Sequence, residues 1–190
     1  MEILSKINQV VIDKFIKCVI ISTANILGPT PQFCFPPQDE NFQNIVAMKS
    51  LILLAGNQDE RVITSSIIPI SNDFGLVYLF YITHPKGRAG IFDATITIVI
   101  DREIKNILIK SIDDLTRTIK NYLSDCDLKL NEEGNIINLK VPLNRLYQNI
   151  KKDLLSNSNP IQLIGVGDPT YDIHDLKKSI NDLRKLLSNY

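Results

Sequence analysis

A chain of 190 residues, 44% of them hydrophobic and 22% charged, carries enough apolar material for one domain with a real core plus a tail. Lys plus Arg and Asp plus Glu each total 21, so the formal net charge is zero, which argues against a dedicated nucleic-acid binder with its basic excess. The three cysteines, Cys18, Cys34 and Cys126, are odd in number and make no CxxC pair, as expected of a reducing, intracellular protein without a disulfide framework; a Cys18–Cys34 bridge across a hairpin is the alternative.

Ile3, Ile7, Val10, Val11 and Phe15 recur at helix-like spacing and predict an N-terminal helix over Ile3–Ile16. The β-branched run Cys18–Leu27 reads as a buried strand, Gly28-Pro29-Thr30-Pro31 as a turn, and Gln32–Pro36 as a second strand closing a hairpin. Asn41 is placed to cap a helix running to about Ala55, with Phe42, Ile45, Val46, Ile52 and Leu53 as its apolar stripe. Met48–Ala55 is apolar around most of its circumference, which implies cover on more than one side. Three strands follow: Arg61–Ile70, whose Pro69 suits an edge; Leu76–Thr83, read as the central strand; and Ile91–Ile100, read as half-buried because Thr95 and Thr97 alternate with isoleucines. His84–Gly90 between the last two reads as a flexible loop. Ile104–Leu123 keeps three- and four-residue spacing for about five turns and predicts one long helix. Asn131–Asn135 is a polar loop. Pro142 suits the first turn of a helix with Leu143, Leu146, Tyr147, Ile150 and Leu154 on one face. Ser156–Asn159 reads as a linker, and Asp172 caps a last helix carrying Ile173, Leu176, Ile180, Leu183 and Leu187.

The expected fold class is therefore α+β: a single antiparallel five-stranded sheet with helices packed on it, in the order β-β-α-β-β-β-α-α, with an added N-terminal helix and a C-terminal helical tail. Residues 1–155 form the domain and 156–190 the linker and last helix. Met1–Lys6 lacks the apolar core of a secretory leader, and no apolar stretch approaches the roughly 20 residues that span a bilayer. A soluble, cytoplasmic protein is expected, with peripheral membrane contact left open.

Few residues suggest chemistry. His84 and His174 are far apart, whereas metal and acid–base sites want clustered groups. Asp113-Asp114 and Glu132-Glu133 read as solvated carboxylates, and no serine sits in a GxSxG elbow. Gly165-Val166-Gly167 lacks the third glycine of a dinucleotide fingerprint. Lys86-Gly87-Arg88-Ala89-Gly90 is the best candidate for holding an anion: Lys86 and Arg88 beside glycine amides suit a phosphate or an acidic lipid headgroup, although a hairpin turn needs the same glycines. No catalytic residue, metal or cofactor is expected.

The series strand, strand, helix, three strands, helix, helix over Cys18–Leu155 resembles a longin domain, and is close to the related roadblock family, which begins with a helix. The resemblance rests on element order, on the hairpin around Gly28-Pro29 and on the helix Asn41–Ala55. It implies a non-enzymatic module of vesicle trafficking and small GTPase regulation, working as a homodimer or heterodimer, with the helix Asn41–Ala55 and an edge strand carrying the interface; the broad apolar surface at Ile45, Met48, Leu51 and Ile52 is the physical support, and burial of all four in the core is the alternative. Two other readings stay open. One is a small-molecule sensor similar in architecture to PAS or GAF domains, with Tyr78, Phe80 and Tyr81 lining a pocket. The other is an enzyme using Lys86–Gly90 on a phosphorylated substrate.

Overall fold

The computed structural model describes residues 14–55 and 65–157. Lys14 and Phe15 are helical; the rest of the N-terminal helix expected over Ile3–Ile16 lies outside the described residues, and Ile16 itself already belongs to a strand. The structure is α+β, built on a five-stranded antiparallel sheet in the order β2-β1-β5-β4-β3. Its strands are β1 (Ile16–Asn25), β2 (Gly28–Phe35), β3 (Ser65–Ile70), β4 (Asp73–Arg88) and β5 (Ile91–Ile100).

The first hairpin turns earlier than its prolines suggest. The turn is Ile26-Leu27, not Gly28–Pro31. Gly28 leaves it at φ 108°, where a Cβ is disfavoured, and Leu27 N donates to Asn25 Oδ1 at 2.9 Å. Pro29 and Pro31 run inside β2, opposite Ala24 and Ser22. That is tolerated because β2 is an edge strand and a missing N–H can face outward there. Pro69 lies in β3, the other edge.

The middle of the sheet is β5, not the Leu76–Thr83 segment of β4. Ala94 through Ile100 are buried on both faces, Thr95 and Thr97 included, so β5 is not half-buried. The alternation of β5 sorts its neighbours into two cores. Ile96, Ile98 and Ile100 join Val19, Ile21, Leu76, Tyr78 and Phe80 in the main core. Val99 joins Cys18, Ile20, Ile68, Ile70 and Val77 in a smaller one on the opposite face.

The smaller core is covered by α1 (Glu40–Ala55), which contributes Val46. Asp39, not Asn41, caps this helix: its Oδ1 accepts from Phe42 N at 2.9 Å. The main core is closed by α2 (Lys105–Lys110), α3 (Ile112–Asp125) and α4 (Leu143–Ser156), through residues such as Leu108, Leu115, Ile119, Leu146 and Ile150. The helix expected over Ile104–Leu123 is thus broken. A short 3-10 turn spans Arg102–Ile104, and Ser111 separates α2 from α3 while its N–H is shared between the Ile107 and Leu108 carbonyls at 3.0 and 3.1 Å. The apolar spacing runs on across the break, because one inserted residue leaves Leu108 and Leu115 facing the same core. Thr118 Oγ1 donates to Asp153 Oδ2 at 2.6 Å and ties α3 to α4.

The polar loop at Asn131–Asn135 is the tip of a two-stranded ribbon, β6 (Lys129–Leu130) and β7 (Ile136–Asn138). It clamps the first hairpin. Asn25 Nδ2 donates to Asn135 Oδ1 at 2.7 Å, Ile136 N to Gln32 Oε1 at 3.0 Å, and Ile26 N to Glu133 O at 3.2 Å. The linker from Ser158 onward, the expected last helix and His174 lie outside the described residues.

Candidate functional site

Helix α1 is unusual in having apolar residues both beneath it and on top of it. Val46, Ala47, Ser50 and Leu51 face the sheet and are buried. Ser50 Oγ donates to Val46 O at 2.7 Å and lies 3.2 Å from Thr95 Oγ1, so a hydroxyl pair sits in this contact. Small side chains at Ala47 and Ser50 keep the helix close to the strands. On the outer side Met48 is 48% exposed, Ile52 60% and Leu53 55%. Ile45 is half-buried. Ile45, Met48 and Ile52 stand at i, i+3 and i+7, one line along the helix.

The four residues assigned to the interface from sequence therefore separate. Met48 and Ile52 lie on the surface with Ile45 at its margin, whereas Leu51, 1% exposed, is core. Leu53, assigned from sequence to the apolar stripe, is also exposed, about 100° further round the helix than Ile52. Little in Met48–Ala55 marks which side faces the sheet, because the segment is apolar around most of its circumference.

The second candidate is the basic segment at the β4–β5 turn. It is not a flexible loop: β4 continues through it to Arg88, with a bulge between Thr83 and Arg88, and the turn is confined to Ala89-Gly90. Gly90 has φ 80°, and Gly90 N donates to Gly87 O at 2.9 Å. Gly87 is required for a different reason, since a Cβ there would collide with the backbone of Ile91. Lys86 Nζ pairs with Glu132 Oε2 at 2.8 Å, both side chains being exposed. Lys86 holds the Glu132 carboxyl below the usual carboxylate range through this hydrogen bond and its charge. The His84 ring lies 5.3 Å from that of Phe92. Lys86 is thus already engaged by a carboxylate, and Arg88 is the last residue of β4, opposite Ile91.

Gly87→Ala is expected to destabilise the protein by roughly 1–3 kcal/mol, since backbone must move to admit the methyl. Urea denaturation measures the loss, and faster hydrogen exchange at the Gly90 amide locates it. Unchanged exchange there would show that the turn does not need its glycine.

No group of three or more His, Cys, Asp or Glu side chains among the described residues is arranged to hold a metal ion. Cys18, Cys34 and Cys126 are free thiols, so the Cys18–Cys34 bridge is not formed. No family model matches the chain, and no curated protein or solved structure gives a significant match.

Proposed function

We propose that this chain is a non-enzymatic interaction module of the longin type, and that the outer face of α1 docks a small GTPase or a subunit of a trafficking complex. The observation that carries it is the line of apolar side chains, Ile45, Met48 and Ile52, on a helix whose opposite side is anchored in the sheet. A patch of this kind on a fixed helix suits a partner rather than water. What supports the resemblance to longin and roadblock domains is the order β1-β2-α1-β3-β4-β5 followed by helices, with α2 and α3 in place of one expected helix and the β6–β7 ribbon before α4. The two sheet edges, β2 and β3, offer a second route to self-association.

The module would act in the cytoplasm or at the periphery of membranes. Among the described residues no helix is long and apolar enough to cross a membrane. No observation favours the small-molecule sensor. Tyr78 and Phe80 are part of the main core, packed with the isoleucines of β5, and Tyr81 is half-buried.

The test is size-exclusion chromatography with light scattering on the protein alone and mixed with small GTPases of the same organism, each loaded with GDP or with a GTP analogue. A complex or a dimer that is lost in a Met48→Asp, Ile52→Asp double variant supports the proposal. A monomer that binds no GTPase in either nucleotide state, and a complex that survives the double variant, each count against it.

A further inference from the structure

Two of the three free thiols are neighbours. Cys34 in β2 is opposite Ile20 in β1, and Cys18 stands two residues before Ile20, on the same face of that strand. Both lie in the smaller core beneath α1, Cys18 fully buried and Cys34 half-buried. The two thiols are close enough to shift each other's proton affinity in opposite directions. In its thiol form Cys34 donates to Pro36 O at 3.3 Å. Packing alone accounts for Cys18, since a buried thiol behaves as a small hydrophobe. It does not account for a half-buried Cys34 across the hairpin from it, shortly before the chain enters α1.

We propose that Cys34 and Cys18 form an oxidisable dithiol, with the half-exposed Cys34 as the attacking sulfur and the buried Cys18 as the resolving one. The division of roles follows from access and from charge. The contact with Cys18, with the backbone of Gln38, holds the Cys34 thiol below its ordinary range against the opposing effect of burial. The same contact with Cys34, then burial, pushes the Cys18 thiol up, so it stays protonated until the partner sulfur is oxidised.

With hydrogen peroxide as oxidant, the Cys34 thiolate attacks one peroxide oxygen and the O–O bond breaks. Hydroxide leaves and takes a proton to become water, and Cys34 is left as a sulfenic acid. Cys18 then gives up its proton, its sulfur attacks the sulfenic sulfur, the S–O bond breaks and a second water leaves. Two thiols are oxidised to one disulfide and one peroxide is reduced to two waters. The bond would staple β1 to β2 where the chain enters α1. Its formation does not depend on what α1 binds.

The experiment treats the full reduced chain with hydrogen peroxide, blocks remaining thiols under denaturing conditions, and maps peptides by mass spectrometry. The expected result is loss of two of the three thiols, loss of two hydrogens in mass, a peptide linking Cys18 to Cys34, alkylated Cys126 and full reversal by dithiothreitol. Cys18→Ala is expected to stop at a Cys34 sulfenic acid that dimedone captures, and Cys34→Ala to leave both remaining thiols alkylated. Oxidation of Cys126 first, disulfides between chains, or a wild-type Cys34 driven to sulfinic acid while Cys18 is still alkylated would each overturn the proposal. If either variant folds poorly, the wild-type peptide map decides alone.

Discussion

Leu51→Asp is expected to unfold the α1 side of the molecule, whereas Met48→Asp, three residues away, leaves the fold intact. Leu51 is 1% exposed and part of the core, and Met48, one turn before it and further round towards solvent, is 48% exposed. A carboxylate at position 51 would be desolvated without a cationic partner built for it, at a cost of roughly 3–5 kcal/mol. That is a large share of the roughly 5–15 kcal/mol that holds a domain together. At position 48 the carboxylate stays in water, and surface substitutions usually change stability by less than about 0.5 kcal/mol. Circular dichroism and urea denaturation of the two variants check this directly. Any loss of partner binding in Leu51→Asp would report lost structure, so the binding test belongs to Met48 and Ile52. A Leu51→Asp variant with native stability would mean that α1 does not pack on the sheet through this residue.

The second large effect is expected at the centre of the sheet. Ile98 sits in β5 between Val19 of β1 and Leu76 of β4, all three fully buried and part of the main core. Ile98→Ala removes three carbons from a site closed by strands on both sides and by helices above. Such a site collapses poorly, and the expected loss is about 2–5 kcal/mol. At roughly 2–4 °C per kcal/mol for a chain of this size, the midpoint of thermal unfolding should fall on the order of 10 °C. Calorimetry measures it. A shift of only a degree or two would show that the space under α3 and α4 repacks freely, contrary to a tightly filled core.

How much was legible differs from element to element. The run Ile91–Ile100 announces its own boundaries, because alternation of apolar residues and threonines is a local property, and β5 spans those residues. Helix α4 is equally plain: Leu143, Leu146, Tyr147, Ile150 and Leu154 are all buried in the main core. The break at Ser111 was hidden, since the periodicity of side chains continues across it and Ser111 N still donates to Ile107 O, four residues back. The turn at Ile26-Leu27 was hidden by its composition, two apolar residues in place of the usual turn formers, while the prolines that marked a turn were absorbed by an edge strand. At the candidate site, a helix apolar around most of its circumference does not tell which of its residues are covered, so the exposure of Met48, Ile52 and Leu53 and the burial of Leu51 were not legible in the sequence.

The sequence by itself determined the main strands and helices and roughly where each runs, though not the β6–β7 ribbon or the continuation of β4 through His84–Arg88, because spacing along the chain is set by neighbours a few residues apart. It also determined that the core would be built from β-branched strands and three-and-four-spaced helices. Only the tertiary structure decided that β5, not β4, lies in the middle, which side of α1 meets the sheet, that Lys86 is taken by Glu132, and that Cys18 and Cys34 lie together in the smaller core. Each of these depends on which segments, distant in sequence, come to lie side by side. A local pattern records that a surface must be covered; the packing of the whole chain selects what covers it.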